Sequence, residues 1–345
     1  MIKLSIILPF YNVEKYMAAC LNSLFEQDMP EDEYEVICID DGSPDHSRDI
    51  VEQYREKHAN LVLLVHKENK GLGGARNTGI RAARGKYLWM VDSDDRIKPN
   101  CLKELIEICK ENEPDVLMFN FEKINAFGEK VERIEVFKNS GVMVGKQYIH
   151  TFFKNDFIYH LGYVWRQIYR TDYLREKDLY FPEKVFWEDT VFMPKALFYA
   201  DKVCSVDKIC YQYRINPSSI SGIYEKELRA DMIFQFAFGA GKELLDFSKE
   251  IQKTDEEIAK NLYKKACWYI NSFLFRLLRT SSIQKKQFFQ LVRSKRNTIK
   301  LLLPYMNHFN KTLCRYPVIG YLISQVITPF YRMKRQLKNQ KQQAL

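Results

Sequence analysis

Apolar runs alternate with segments of helical periodicity through the first hundred residues of the chain. The apolar runs predict four strands, over residues 4–9, 35–40, 61–65 and 87–91. Between the first two runs, apolar residues recur at three- and four-residue spacing from Met17 to Leu24, as on one face of a helix. This alternation predicts the α/β class, with a mainly parallel sheet covered by helices on both faces.

Helix starts can be placed from local composition. Ser43-Pro44-Asp45 combines a capping hydroxyl, a first-turn proline and an acid near the positive end of the helix dipole. Gly71-Leu-Gly-Gly-Ala-Arg-Asn77 opens the helix that follows the third strand. Farther along, a helical run is predicted over 190–199, and a strand that starts at Tyr211 passes into a turn-rich loop.

Acidic residues crowd the point where the fourth strand ends, at Asp92, Asp94 and Asp95. In an open α/β sheet, ligands bind just beyond the carboxyl ends of the strands. Crowded carboxylates are costly unless a cation neutralises them, and Mg²⁺ is usually held by one or two carboxylates plus substrate phosphates. The pattern indicates a metal–nucleotide site, although a surface turn or helix cap can have the same composition.

Four motifs in this part of the chain resemble those of the family 2 glycosyltransferases, whose catalytic domain is the nucleotide-sugar-binding GT-A fold. They are Ser5–Asn12, Ile39–Ser43, Asn69–Asn77 and Asp92–Asp95. Trp187-Glu188-Asp189 resembles the family's second acidic motif, and the segment 211–221 resembles one that is common in its polysaccharide-making members. No resemblance extends past about residue 225.

The resemblance implies a domain organisation. A GT-A domain is expected over residues 1–225, with a nucleotide-binding half at 1–100 and an acceptor-binding half at 110–225. A basic, mostly helical C-terminal extension is expected over 226–345.

The resemblance also implies the donor site, with a UDP-sugar as the expected donor. Asp94 matches the ligand of a Mn²⁺ or Mg²⁺ ion, and the adjacent Asp95 is a second ligand or a support for it. The residues expected to contact the nucleotide are Pro9, Tyr11, Asp40, Asp41, Arg76, Asp92, Ser93 and Arg214.

Individual roles within this set follow from side-chain chemistry. An aromatic ring can stack on uracil, and a carboxylate can accept the imide N–H, although Asp40 can instead orient its own loop. Arg214 is expected to clamp the diphosphate, or else to lie in an ordinary surface hairpin. Ser218 to Ser221 are expected to form a lid over the donor.

The second acidic motif is expected to supply the catalytic residues. By resemblance, Asp189 accepts the proton of the acceptor hydroxyl, and Glu188 places Asp189 or contacts the acceptor sugar. Trp187 is expected either to stack on a sugar or to pack in the core. Acidic residues at a helix start also occur for dipole reasons alone. The chain lacks the Gln-x-x-Arg-Trp motif of the processive synthases, which favours the addition of a single sugar.

The charge of the chain is unevenly distributed. Residues 258–345 contain 18 Lys or Arg and no Asp or Glu, whereas residues 1–257 contain 35 basic and 44 acidic residues. Such asymmetry favours an anionic partner. Nucleic acid is not expected, because the first domain is acidic and no zinc-finger spacing or RNA-recognition motif occurs.

A stretch of sixteen uncharged residues, 316–331, lies within the basic region. It is too short and too polar to span a bilayer, which takes about twenty apolar residues. An interfacial helix on an anionic membrane is expected, with a helix packed on the protein's own surface as the alternative.

Other features bear on the compartment. The eight cysteines form no C-x-x-C pair and fall mostly in apolar runs, which predicts small buried hydrophobes rather than disulfides or zinc ligands. The N-terminus runs directly into the first strand, so no signal peptide is expected and the predicted location is cytoplasmic, peripheral on the inner face of the membrane.

These features predict an inverting, metal-dependent glycosyltransferase that moves one sugar from a nucleotide sugar to a glycan hydroxyl. A lipid-linked acceptor in surface-polysaccharide assembly is expected. One alternative is a nucleotidyltransferase of sugar activation, which is disfavoured because residues 9–14 contain neither glycine nor a basic residue. The other is a non-catalytic scaffold at a membrane.

Overall fold

The computed structural model describes residues 1–154, 163–216 and 229–343. The chain forms two compact units. The first contains Met1–Lys184 and Glu188–Asn216, and the second contains Val185–Trp187 together with the chain from Pro217 onward. The predicted lid at 218–221 and the predicted domain boundary near residue 225 lie outside the described residues.

The first unit is built on a sheet of nine strands. The strands are β1 Leu4–Phe10, β2 Tyr34–Asp40, β3 Leu61–Val65, β4 Tyr87–Met90, β5 Arg96–Ile97, β6 Val116–Ile124, β7 Lys130–Ile134, β8 Gln167–Arg170 and β9 Val203–Arg214. The helices are α1 Glu14–Phe25, α2 Ser47–Arg55, α3 Gly71–Ala82, α4 Leu102–Asn112, α5 Gly145–Lys154, α6 Thr171–Glu176 and α7 Asp189–Phe198, with a short 3₁₀ turn at Val164–Arg166.

The strand order is β3-β2-β1-β4-β8-β6-β9-β5, with β7 paired to β6 outside this path. The first four strands are parallel, as the sequence predicts, because a helix follows each of β1, β2 and β3. The second half is mixed: β8 is antiparallel to both β4 and β6, whereas β6 and β9 are parallel. All residues of β1 and β2 are buried, as expected for strands covered on both faces.

The order reverses between β1 and β4, which makes this pair the topological switch point of the sheet. The β1–β4 pairing ends at Ile7 opposite Met90, and Val91 adds one more hydrogen bond, from its N–H to the Ile7 carbonyl (2.9 Å). Beyond that point the β1/β4 ladder stops, and a crevice at the carboxyl ends of the strands is the usual ligand site of such sheets.

Helix α2 begins at Ser47, three residues later than the sequence predicts. The Asp45 carboxylate accepts hydrogen bonds from the Ser47 N–H (3.2 Å) and from the Glu14 N–H (2.8 Å). The Ser43 hydroxyl accepts from the Asn12 N–H (3.3 Å) and does not cap a helix. Local composition could not place this helix start correctly, because Ser43 and Asp45 bind Asn12 and Glu14, about thirty residues away along the chain.

The second unit is helical, as predicted for the C-terminal extension. Its helices are α8 Ala230–Phe234, α9 Gly241–Glu250, α10 Glu256–Asn271, α11 Phe273–Leu277, α12 Ser282–Ser294, α13 Arg296–Leu302, α14 His308–Arg315 and α15 Pro317–Gln343. A π-helical segment, Gln235–Ala240, joins α8 to α9. Side chains of Asp255, Ser281 and Asn307 cap α10, α12 and α14.

Aromatic side chains form the centre of the second unit. Phe238 packs on Phe273 and Phe288, with ring centroids 5.5 and 6.1 Å away, and Phe273 stacks on Phe288 at 5.3 Å. Trp187 belongs to this unit and lies edge-on to Phe236 at 4.8 Å. None of the helices in the described ranges is long and apolar enough to cross a membrane.

Candidate active site

The acidic turn after β4 lies at the switch point of the sheet. The Asp95 N–H donates to the Asp92 carbonyl (3.0 Å), which closes the turn. Asp92 is partly exposed, Asp94 is partly exposed, and Asp95 is buried. The hydroxyl of Ser93 lies in the same turn and is also buried. The three carboxylates therefore have different surroundings and different roles.

Asp95 ties the turn to β9. Its Oδ1 accepts from the Arg214 N–H (2.6 Å), and its Oδ2 accepts from the Tyr211 hydroxyl (2.7 Å). Burial, followed by the charges of Asp94 and Asp92, raises the pKa of the Asp95 carboxyl well above its usual range. Of the two roles expected for Asp95, these contacts favour the support over the metal ligand.

Asp94 is the acid best placed to take a cation. Its Oδ2 accepts from the Asn216 side-chain amide (3.0 Å), and Asn216 in turn accepts from the Tyr16 hydroxyl (3.2 Å). Burial, followed by the charge of Asp92, raises the pKa of the Asp94 carboxyl. A cation beside Asp94 would offset both effects, because it stabilises the ionised form.

The donor set fits a cation that completes its coordination from the substrate. Within residues 1–154, 163–216 and 229–343 no group of three or more His, Cys, Asp or Glu side chains is arranged to hold a metal. Mg²⁺ typically binds one or two carboxylates plus phosphates and water. Asp94 with a nucleoside diphosphate meets that requirement, whereas an all-protein site does not exist in these residues.

Arg214 differs from the expected diphosphate clamp. Its Nε donates to the Asp94 carbonyl (2.9 Å), and its NH1 donates to the Ala126 carbonyl (3.0 Å). The guanidinium also lies over the Tyr16 ring, 5.3 Å from the centroid. The side chain is buried and holds the acidic turn in place from beneath. A long-range contact of this kind is not visible in the sequence.

Arg76 joins the two acidic motifs. Its NH2 donates to Asp92 Oδ1 (2.7 Å), and its NH1 donates to Glu188 Oε1. Burial alone would lower the pKa of Arg76, but Asp92 and Glu188 outweigh that effect and raise it above its ordinary value. The sequence predicts a nucleotide contact for Arg76. In the structure, its guanidinium pairs with the carboxylates of Asp92 and Glu188.

Two further residues of α3 hold the second acidic motif against the helix. Asn77 donates from Nδ2 to the Phe181 carbonyl (2.9 Å) and accepts from the Phe181 N–H (2.8 Å). A Cβ at Gly73 would lie 2.7 Å from the Pro182 carbonyl oxygen, so only glycine permits this approach. The Gly-Gly-Ala-Arg-Asn motif therefore contacts Phe181, Pro182 and Glu188 rather than forming a nucleotide loop alone.

Asp189 has a carboxylate oxygen without a partner. It is the first residue of α7, and its Oδ1 is enclosed and accepts no hydrogen bond within the described part of the chain. Burial, followed by the charge of Glu188, raises the pKa of the Asp189 carboxyl well above its usual range. Burial likewise raises the pKa of Glu188, whose charge is offset by Arg76. A carboxylate with a raised pKa is a stronger base.

The acids after β2 organise their own loops. Asp40 accepts from the Ser43 N–H (2.8 Å) and pairs with Arg48 (3.1 Å), so it orients the loop, which is one of the two roles that the sequence leaves open. Asp41 accepts from the Gly71 N–H (2.8 Å) and contacts His66 Nδ1 (2.7 Å). Asp41 is buried, so its expected contact with a nucleobase imide conflicts with this loop-holding role.

Pro9 and Tyr11 lie at the carboxyl end of β1. Pro9 is buried in the strand, whereas the Tyr11 ring follows the strand and is half exposed. An exposed aromatic ring at the switch point can stack on a planar base. The Tyr11 ring is therefore accessible, and stacking on a base stays a prediction from the sequence.

Sequence reasoning missed Asn216, Asn77 and Tyr211 as parts of the site. All three lie in segments that carry the family resemblance, 69–77 and 211–221, but nothing in the sequence indicates which side chain each one contacts. Tyr211 donates to Asp95 and accepts from the Asp92 N–H (3.1 Å), across more than a hundred residues of chain.

Comparison with known proteins agrees with this geometry. Residues 5–174 match the family described as Glycosyl transferase family 2. EpsJ of Bacillus subtilis, described as an uncharacterized glycosyltransferase, is 34% identical over 225 residues, which make up 64% of this chain and 63% of EpsJ. The poly(ribitol-phosphate) beta-N-acetylglucosaminyltransferase TarS of Staphylococcus aureus is 36% identical over 214 residues, or 62% of this chain and 35% of TarS.

A solved structure extends the similarity to the whole fold. The crystal structure of S. aureus TarS 1–349 in complex with UDP-GlcNAc has a TM-score of 0.62 and 25% identity, and the match covers 96% of this chain and 92% of that one. The fold is therefore of the GT-A class. Residues 5–174, just under half of the chain, match glycosyl transferase family 2, and the fold is similar to that of the TarS structure over 96% of the chain. It spans less than two thirds of the length of EpsJ and about a third of TarS.

Proposed function

We propose that this protein is an inverting glycosyltransferase that moves one sugar from a UDP-sugar to a hydroxyl group of a glycan. The observation that carries the proposal is the link through Arg76, whose guanidinium holds Asp92, at the end of β4, next to Glu188 of the second acidic motif. The match to the TarS structure, solved with UDP-GlcNAc, supports UDP-sugar as the donor class.

The donor half of the reaction concerns charge on the leaving group. As the bond to the anomeric carbon breaks, the diphosphate gains negative charge. A divalent ion on Asp94 and the diphosphate would stabilise that charge. Tyr11 would stack on the base, while Asp95 and Arg214 would keep the acidic turn fixed. A fixed turn lowers the cost of organising the site during the reaction.

The acceptor half of the reaction concerns a proton. A sugar hydroxyl is a weak nucleophile at neutral pH, so a carboxylate that takes its proton speeds the attack. The Asp189 side chain is partly exposed and its carboxyl has a raised pKa, and the adjacent Glu188 is held in place by Arg76. A single base and a direct displacement invert the anomeric centre.

The acceptor is proposed from the relatives. TarS is named for transfer to poly(ribitol-phosphate), a surface polymer, which supports a surface-polysaccharide acceptor for this chain. We propose that the acceptor is lipid-linked and that the protein works at the cytoplasmic face of the membrane. The basic C-terminal region, with 18 Lys or Arg and no acid over residues 258–345, supports that location.

A donor panel tests the proposal. Purified protein is incubated with UDP- and GDP-sugars, with Mn²⁺, Mg²⁺ or EDTA, and nucleotide release is measured. We expect UDP from at least one UDP-sugar, in a metal-dependent reaction. Pyrophosphate formation from a nucleoside triphosphate and a sugar phosphate would instead identify a nucleotidyltransferase, and a protein that binds no nucleotide would be a scaffold.

A further inference from the structure

The last helix of the second unit exposes an apolar face. On α15, Ile319, Leu322, Val326, Phe330 and Met333 are spaced by three or four residues and therefore form one stripe. The exposed fractions of Leu322, Val326 and Phe330 are 57%, 66% and 66%. We call this stripe of five residues the outer face of α15.

The opposite side of α15 is the one that packs on the unit, and it carries small residues. Gly320, Ser324 and Thr328 are buried. The Ser324 hydroxyl donates to the Tyr321 carbonyl, and the Thr328 hydroxyl donates to the Ser324 carbonyl, both at 2.6 Å. Each buried hydroxyl is thus satisfied within its own helix, and the helix can pack closely.

This arrangement inverts the usual pattern of a surface helix. In water, the large apolar residues of such a helix face the core, and polar residues face out. Here the large residues face out, and a contiguous apolar patch of this kind marks an interaction site. The outer face therefore suits an apolar surrounding better than water.

The charge of the second unit indicates what the outer face of α15 contacts. Residues 258–345, which include α15, carry 18 basic residues and no acidic one. A second copy of the chain would bring the same positive charge to the interface, and like charges repel. An anionic bilayer offers both the apolar interior and the opposite charge, and each basic residue near its surface contributes about 1 kcal/mol.

We propose that α15 lies in the plane of an anionic membrane, with its outer face inserted among the acyl chains. The proposal rests on the proposed function, because it places the enzyme at the surface that holds a lipid-linked acceptor. It specifies which side of which helix enters the lipid. An amphipathic helix of this kind lies in the interface and does not span it.

Co-sedimentation with vesicles tests the proposal. One set of vesicles is pure phosphatidylcholine, and the other contains phosphatidylglycerol. The variant is Leu322→Ser with Val326→Ser, and the control is Leu301→Ser, which removes a leucine of similar exposure (65%) from α13. We expect wild type and control to bind the anionic vesicles, and the double variant to bind at least about tenfold more weakly.

Three results would overturn the assignment. These are equal binding of wild type to both vesicle types, equal binding of the double variant and wild type, and a dimer in sedimentation velocity that the double variant converts to monomer. UDP-sugar hydrolysis without lipid is measured in parallel. If the protein hydrolyses UDP-sugar but does not bind the vesicles, the membrane proposal is wrong and the enzyme proposal stands. If it binds the vesicles but hydrolyses no UDP-sugar, the enzyme proposal is wrong and the membrane proposal stands.

Discussion

At the scale of single residues, the acids of the candidate site differ in how many of their carboxylate oxygens accept hydrogen bonds. Asp189 has an oxygen without a hydrogen bond, and Asp94 has one donor on one oxygen. Asp95 and Asp41 accept hydrogen bonds on both carboxylate oxygens. Hydrogen-bond occupancy thus distinguishes residues that are identical in chemistry.

The first prediction concerns Asp189. Asp189→Asn keeps the size of the side chain but removes its basicity, so turnover should fall about 10²–10⁴-fold. UDP affinity, measured by calorimetry, should not change, because the proposed base acts on the acceptor hydroxyl and not on the nucleotide. Near-normal turnover of this variant would indicate that Glu188 is the base. Loss of UDP binding would indicate that Asp189 has a structural role.

The second prediction concerns pH. The raised pKa of Asp189 means that its carboxylate takes up a proton at a higher pH than an ordinary aspartate, whose pKa is about 3.9. Only the ionised form accepts the acceptor's proton, so kcat/KM should fall as pH drops through the raised pKa. The acidic limb of the pH profile should therefore lie above the ordinary range, and the residual activity of Asp189→Asn should lack it. A limb in the ordinary range would contradict the assignment.

The third prediction separates Asp94 from Asp95. Asp94→Asn should abolish the Mn²⁺- or Mg²⁺-dependent part of UDP binding, because the metal loses its protein carboxylate. Asp95→Asn should retain it, since an amide oxygen can still accept from the Arg214 N–H and its NH₂ can donate to the Tyr211 oxygen. Calorimetry with UDP, with and without metal, decides between the two. Equal loss of metal-dependent UDP binding in both variants would mean that Asp95 is also a metal ligand.

At the scale of elements, α3 positions Glu188 and the residues 181–182 that precede it. Gly73, Arg76 and Asn77 lie on one side of its first two turns, and each contacts the segment that carries Glu188 or the residues just before it. The distance between the donor turn and the base thus depends on one helix. A helix has few internal degrees of freedom, so this distance is well defined.

The fourth prediction tests the packing of α3. Gly73→Ala places a methyl group 2.7 Å from the Pro182 carbonyl, and overpacking of this kind costs about 1–3 kcal/mol. We expect a lower melting temperature and reduced turnover, as the segment is pushed off the helix. Gly141→Ala is the matched control, because nothing lies within 4 Å of its Cβ position. The idea fails if both variants melt and turn over like the wild type.

The same elements show what the sequence can and cannot predict. The bounds of β3 are predicted correctly, and those of β1, β2 and β4 to within one residue, because strand signals are local. The roles of Arg76 and Arg214 could not be predicted, since their partners lie as many as 112 and 120 residues away along the chain. The start of α2 was predicted wrongly for the same reason, because the Asp45 carboxylate accepts a hydrogen bond from the Glu14 N–H of α1.

At the scale of the whole molecule, the two units differ in charge and in chemistry. Every residue assigned to the candidate site belongs to the first unit, whereas most of the basic excess lies in residues 258–345 of the second. Donor chemistry and membrane attraction can therefore be measured separately.

The fifth prediction uses salt to separate charge from burial. The Debye length falls from about 8 Å at 0.15 M salt to about 3 Å at 1 M, so attraction of the basic region to an anionic surface should weaken. We expect binding to phosphatidylglycerol vesicles to fall several-fold at high salt but to persist in part, because the outer face of α15 is uncharged. Complete loss of vesicle binding at high salt would mean that charge alone holds the protein on the membrane. Unchanged binding would exclude a role for the basic residues. Co-sedimentation over a salt series gives the answer.

The position of Gly73, Arg76 and Asn77 on a single helix has a genetic consequence. A screen that selects for loss of product should recover substitutions at these three residues as often as substitutions at Asp94 or Asp189. None of the three needs to touch a sugar, since each acts on residues 181–188 through packing or hydrogen bonds. Second-site suppressors of such variants should therefore map to 181–188, more than a hundred codons downstream of the first lesion.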